Sequence, residues 1–161
     1  MAVEIERKFL VCSDAWRQAA DAGCDYRQGY LCGDADMVVR VRVVGEAAWL
    51  AVKAKAAAGG IVRHEFEYPI PLADANAMLA QLCRQPLIEK RRHRFRHGDH
   101  VWEIDVFHGA NAGLVLAEIE LSDPDEEFLR PPWLGEEVST DPRYFSAYLS
   151  QHPYREWKHE L

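Results

Sequence analysis

The sequence predicts a mainly β protein of the α+β class: about eight antiparallel strands accompanied by a few helices. Three observations carry that expectation. Apolar and charged residues alternate with a period of two through successive short segments, glycine-bearing turns join those segments, and only a few stretches show helical spacing. The 161 residues suit one domain with its own core, and a composition 48% hydrophobic and 28% charged suits a globular chain better than a disordered one.

From Val3 to Leu10, Val3, Ile5 and Phe9 alternate with Glu4, Glu6 and Lys8, which predicts a strand. Ser13 to Ala22 reads as a short helix capped by Ser13 or Asp14, and Tyr26 to Leu31 as a weaker strand. Met37 to Val44 is rich in β-branched residues and carries Arg40 and Arg42 on one face. After the turn at Gly45-Glu46, Trp49 to Lys55 carries Lys53 and Lys55 on one face. After Gly59-Gly60, Ile61 to Tyr68 sets Arg63, Glu65 and Glu67 against Val62, His64, Phe66 and Tyr68, and Pro69 and Pro71 end the run. Leu72 to Cys83 has helical spacing.

Leu87 to Arg96 returns to alternation with Lys90, Arg92 and Arg94 on one face, and Gly98-Asp99 turns the chain into His100 to Phe107, which bears Glu103 and Asp105. Leu114 to Leu121 sets Glu118 and Glu120 against Ala117, Ile119 and Leu121. In the tail, Thr140 or Asp141 caps a predicted helix with Pro142 in its first turn and Tyr144, Phe145, Tyr148 and Leu149 on its apolar side.

Several function classes lose ground at once. Cys12, Cys24, Cys32 and Cys83 form no C-x-x-C pair and no signal peptide precedes them, so reduced thiols in a cytoplasm are expected. No apolar run nears the roughly 20 residues that cross a bilayer, so no membrane partner is expected. A formal net charge of −7 argues against coating nucleic acid, leaving a polyanion only a local basic pocket. Neither G-x-G-x-x-G nor a Walker loop occurs.

The commonest antiparallel pattern leaves a charged face to solvent. Here, however, the polar faces are almost wholly ionic, and their basic and acidic strands come in blocks, whereas a solvated sheet gains most from opposite charges across each pair. Two like charges about 4 Å apart repel by roughly 4 kcal/mol at an effective dielectric near 20. Blocks of that kind suit ligands, with cations facing phosphates and carboxylates facing metal.

On these residues the chain resembles the CYTH, or triphosphate tunnel metalloenzyme, superfamily. Glu4-Ile5-Glu6-Arg7-Lys8 matches its amino-terminal E-x-E-x-K signature; Arg40/Arg42, Lys53/Lys55, Glu65/Glu67, Lys90/Arg92, Asp105 and Glu118/Glu120 follow in the family's order. Asp141-Pro142-Arg143-Tyr144 and His152-Pro153-Tyr154 are similar to the ending of the short bacterial inorganic triphosphatases. The resemblance implies one tunnel-barrel domain over residues 1–161, a closed eight-stranded antiparallel barrel with flanking helices and a helical tail from about residue 139.

It also implies metal-dependent hydrolysis of a small triphosphate, most readily inorganic tripolyphosphate to pyrophosphate and phosphate, with Mg²⁺ or Mn²⁺ as cofactor. Glu4, Glu6, Glu118 and Glu120 are then the metal carboxylates, with Asp105 a ligand or an outer partner. With Lys8 these four glutamates form the catalytic set. Lys8, Arg40, Arg42, Lys53, Lys90 and Arg92 bind phosphate oxygens, Lys55, Arg63 and Arg94 extend that row toward the strand ends, and Glu65 and Glu67 hold a second metal or orient the cations. Water activation falls to the metal and a nearby carboxylate. Other outcomes in the superfamily are an adenylyl cyclase and a thiamine triphosphatase; outside catalysis the alternative is a polyphosphate-binding module, and a lipid-binding barrel would need apolar inward faces. Monomer and homodimer both stay open.

Overall fold

The computed structural model describes every residue except Met1, Ala35, Ala58, Glu160 and Leu161, and the backbone alone for Lys158 and His159. Period-two alternation becomes strand at β1 (Val3–Val11), β2 (Cys24–Gly33), β3 (Met37–Val44), β4 (Ala47–Lys55) and β5 (Val62–Pro69). After helix α1 (Leu72–Gln81) come β6 (Ile88–His97), β7 (His100–Phe107), β8 (Val115–Glu120), β9 (Leu134–Glu137) and the one-turn α2 (Ser146–Leu149). The β3–β4 and β6–β7 hairpins turn at Gly45 and Gly98, whose φ values of 59° and 64° lie in the left-handed region that glycine enters freely.

Neighbouring strands run in the order β5, β4, β3, β2, β6, β7, β8, β1, all antiparallel, and β1 pairs back with β5 to close an eight-stranded barrel. Glu6 N–H donates to Ile61 C=O, and two residues along Lys8 C=O accepts from Val138 N–H. Carbonyl and amide groups two residues apart face the same strand edge, so β9, the extra strand, takes over the edge of β1 that β5 leaves.

The pleat sends apolar side chains outward on most strands. Phe9, Trp102, Ile104, Ala117 and Ile119 pack under Trp16 and Trp133, and α1 lays Ala75 and Leu79 on Val41, Val43 and Ala48. Inside, one end of the barrel is apolar as well. Tyr30, Val38, Ile88, Phe107 and Leu116 meet Leu149 of α2 there, so the chain's last turns cover that end.

Three expectations change. Ser13–Ala22 forms only a 3₁₀ turn over Ala15–Gln18: Asp14 makes no capping bond, and the Asp21 carboxylate instead accepts from Gly23 N–H and from Arg94 N–H, tying the segment to β6. The tail is a series of turns rather than one helix, because Phe145 is extended at φ −76°, ψ 138°, between the Asp141-capped turn Pro142–Tyr144 and α2. The weak strand expected over Tyr26–Leu31 reaches ten residues. Among the described residues, no helix is long and apolar enough to cross a membrane.

Candidate active site

A cavity of about 990 Å³ occupies the barrel. Its wall takes Glu4, Glu6 and Lys8 from β1, Arg40 and Arg42 from β3, Lys53 and Lys55 from β4, Arg63 and Glu65 from β5, Lys90 and Arg92 from β6, and Glu118 and Glu120 from β8. Each set sits at alternate positions of its strand, so the pleat turns all of them inward. Along β6 the inward residues run from Ile88 at the apolar end through Lys90 and Arg92 to Arg94, which lines a second, shallower cavity at the other mouth.

Cations and carboxylates pair across the strands. Lys53 Nζ lies 3.1 Å from Glu4 and 3.2 Å from Glu65, Arg40 lies 3.1 Å from Glu67, and Lys8 Nζ lies 3.4 Å from Glu118. Arg92 is a hub: it grips both oxygens of Asp105 at 2.8 and 2.9 Å and reaches Glu103 and Glu118 at 3.2 and 3.3 Å. Lys90 Nζ donates to the same Asp105 at 2.7 Å.

These contacts set the local charge. Burial works against ionising Asp105, but Arg92 and Lys90 hold it well below the carboxylate range. Burial also opposes Glu118, yet Lys8, Arg92 and Lys90 hold it down at about 2. Burial lowers Lys90 to about 8 despite Asp105. Glu6 has no ion-pair partner among the described residues; burial, Glu118 and Glu4 push it up to about 8. Burial and Glu4 likewise raise Glu120.

Three expected site residues lie elsewhere. Asp105 is fully buried and does not line the cavity; both its oxygens are engaged by Lys90 and Arg92, contacts that suit the outer partner of the two roles expected for it. Glu67 is off the wall and salt-bridged to Arg40, and Arg94 stands at the far mouth, 3.5 Å from Glu103. Conversely, the wall includes residues that charge alternation did not single out. Arg84 follows α1, Tyr30 faces inward, and the Phe145 ring sits 5.5 Å from Lys8 Nζ and 5.7 Å from the Arg63 guanidinium. Tyr26 lies beneath Arg42 and Arg92, with ring centroid 5.1 and 5.0 Å from the guanidinium carbons. A motif built on charge gives no signal for these aromatic and loop residues.

Among the described residues, no three His, Cys, Asp or Glu side chains converge as a ready-made metal cage. The donor chemistry still fits a hard divalent cation. Mg²⁺ keeps waters and takes one or two carboxylates together with phosphate oxygens, so it needs no all-protein cage. Glu6, crowded by Glu4 and Glu118, is the kind of carboxylate such an ion relieves.

The profile of the CYTH domain family matches residues 2–152. The chain belongs to the CYTH domain family. It is 47% identical to an inorganic triphosphatase of Acetivibrio thermocellus over 158 residues, 98% of this chain and 99% of the relative. It is 35% identical to an inorganic triphosphatase of Nitrosomonas europaea over 151 residues, 91% and 96% of the two chains. Among solved structures it is similar to the inorganic triphosphatase NE1496, with a TM-score of 0.63 and 33% identity over 91% of this chain and 96% of that one. The tunnel wall of this CYTH chain therefore sits in a barrel of the same kind as one whose protein carries that name.

Proposed function

We propose that this chain is a metal-dependent triphosphatase that hydrolyses inorganic tripolyphosphate to pyrophosphate and phosphate. The observation that carries the reading is the enclosed wall of strand-borne cations interleaved with carboxylates, in a chain 47% identical to a protein named inorganic triphosphatase. Lys8, Arg40, Arg42, Lys53, Lys90 and Arg92 bind the non-bridging oxygens, the arginines as forks and the lysines as compact charges. Lys55 and Arg63 extend the row, and Arg94, beside Glu103 in the shallower cavity, would stand at its far end.

Glu4, Glu6, Glu118 and Glu120 would hold Mg²⁺ or Mn²⁺, which when bound neutralises charge on the phosphate oxygens. The cations wait on carboxylates: Lys53 on Glu4 and Glu65, Lys8 on Glu118. A phosphate chain takes over those donors and frees the carboxylates in the same act. As water forms the new P–O bond and the bridging P–O bond breaks, charge grows on the leaving oxygen beside fixed cations, which stabilises the transition state more than the ground state. The water's proton passes to a wall carboxylate. The reading includes a single domain in the cytoplasm, and the net charge of −7 speaks against a nucleic-acid partner.

Phosphate release from tripolyphosphate, thiamine triphosphate and ATP, with Mg²⁺, Mn²⁺ or EDTA, tests this. Tripolyphosphate should give the highest kcat/KM and EDTA should abolish turnover. Full turnover in EDTA overturns the mechanism, and a higher kcat/KM for ATP or thiamine triphosphate overturns the substrate.

A further inference from the structure

Arg42 is held differently from five other cations of the tunnel wall. Lys8, Arg40, Lys53, Lys90 and Arg92 each lie within 3.4 Å of a carboxylate. Arg42 has no such partner among the described residues. Its Nε donates to Gln28 Oε1 at 2.9 Å, its guanidinium rests on the ring of Tyr26, and its remaining edge belongs to the cavity wall. Burial and repulsion from Arg40 and Arg92 lower it to about 10 although Asp105 acts at a distance in the other direction, so it stays a cation at neutral pH with no carboxylate in direct contact among the described residues.

Gln28 lies on β2 directly across from Arg42 on β3 and is fully buried. Its amide nitrogen finds no hydrogen-bond partner among the described residues. An orphaned buried donor is unfavourable, and a methionine or leucine would fill the same space without one. What the glutamine supplies is therefore its acceptor oxygen. A carboxylate at this place would accept from Nε equally well but would cancel the arginine's charge; the amide orients the guanidinium and leaves the charge whole.

We propose that Gln28 is a positioning residue for substrate: its amide oxygen fixes Arg42 through Nε, so that both terminal nitrogens and an uncancelled positive charge face a phosphoryl group. The proposal rests on the triphosphatase reading. Because the contact exists before and during reaction, its loss falls on binding more than on kcat.

The test compares wild type, Gln28→Glu and Gln28→Met in kcat and KM for tripolyphosphate with Mg²⁺, in tripolyphosphate affinity by calorimetry in EDTA, and in Tm. Gln28→Glu keeps the shape and the hydrogen bond, and it should fold with a Tm no lower than wild type. It should still raise KM and the metal-free Kd roughly tenfold or more, with kcat changed much less. Gln28→Met should raise both several-fold. A merely structural glutamine predicts the opposite for Gln28→Glu, so wild-type KM and Kd in that variant overturn the proposal. Should Gln28→Glu fail to fold, Gln28→Met decides by the same constants. A wild-type protein that neither binds nor hydrolyses tripolyphosphate removes the triphosphatase reading and this proposal with it, whereas wild-type turnover with unaffected variants removes this proposal alone.

Discussion

Lys53 reaches Glu4 and Glu65, and Lys8 reaches Glu118, which leaves Glu6 between two carboxylates with no cation of its own among the described residues. In the metal-free fold its carboxyl therefore binds its proton far more tightly than in the unfolded chain, where the ordinary value near 4.5 applies. A folded-state value raised to about 8 means that the folded form carries more protons than the unfolded one between those limits. Stability must then fall as pH rises from about 4.5 to about 8, by several kcal/mol, and Glu120 titrates in the same direction. The Tm of EDTA-treated protein should drop between pH 5 and pH 8, and Mg²⁺ should reverse most of the drop. Glu6→Gln should flatten the profile, raise the metal-free Tm at pH 8 and lower kcat about 100-fold or more. A flat wild-type profile would show that the glutamate is neutralised in some other way. At this scale the sequence was most informative where charge recurs every second residue, as at Glu4, Glu6, Arg40, Arg42, Glu118 and Glu120. It was silent at Gln28 and Tyr26, because a neutral side chain facing inward looks the same in sequence as one facing outward, and it could not show that Asp105 would be enclosed by Lys90 and Arg92.

At the scale of elements, strands with strong alternation were legible to within a residue or two, as β3 and β7 show. β9 was not, since the four residues of Leu134–Glu137 carry no alternation and become a strand only because β1 offers them a free edge. The tail was legible as helical but not in its break at Phe145, which places that ring against Lys8 and Arg63 while Lys8 Nζ also donates to Tyr144 C=O at 3.1 Å. What anchors the tail is Leu149, fully buried among Ile88, Phe107 and Leu116. Leu149→Ala should destabilise the protein by about 2–4 kcal/mol in urea unfolding, through lost burial and the cavity left behind. It should also raise KM, because Ala147 and Tyr148 of the same turn line the substrate cavity. Unchanged stability would mean that the tail is not what seals that end.

For the molecule as a whole, the distribution of charge matters more than its sum. The chain carries −7 overall, yet Lys8, Arg40, Arg42, Lys53, Lys90 and Arg92 are gathered within one barrel, an arrangement that an anion should stabilise. Tripolyphosphate in EDTA, at about 100 times its Kd, should therefore stabilise the fold by about 2.7 kcal/mol, read as a rise in Tm without turnover. Equal ionic strength of sodium chloride should not reproduce the rise, since buried pairs are screened far less than exposed ones. No shift with tripolyphosphate would mean that the carboxylates, rather than a ligand, satisfy those cations permanently. That the barrel closes was implied by the family resemblance and not by any single strand, because a period of two describes a strand's faces and is silent about which strand lies beside it.

β1 borders β5, β8 and β9, so its partners all come later in the sequence, and Lys8 must wait for Glu118. Pairings of such long sequence separation carry the largest loop-closure entropy and form late. A nascent chain can thus build the β3–β4 and β6–β7 hairpins while Glu4 and Glu6 still stand apart from Glu118 and Glu120. Under the triphosphatase reading, a chain that ends before β8 lacks Glu118 and Glu120 and should release no phosphate from tripolyphosphate, so the site should be assembled in the same step that shuts the ring.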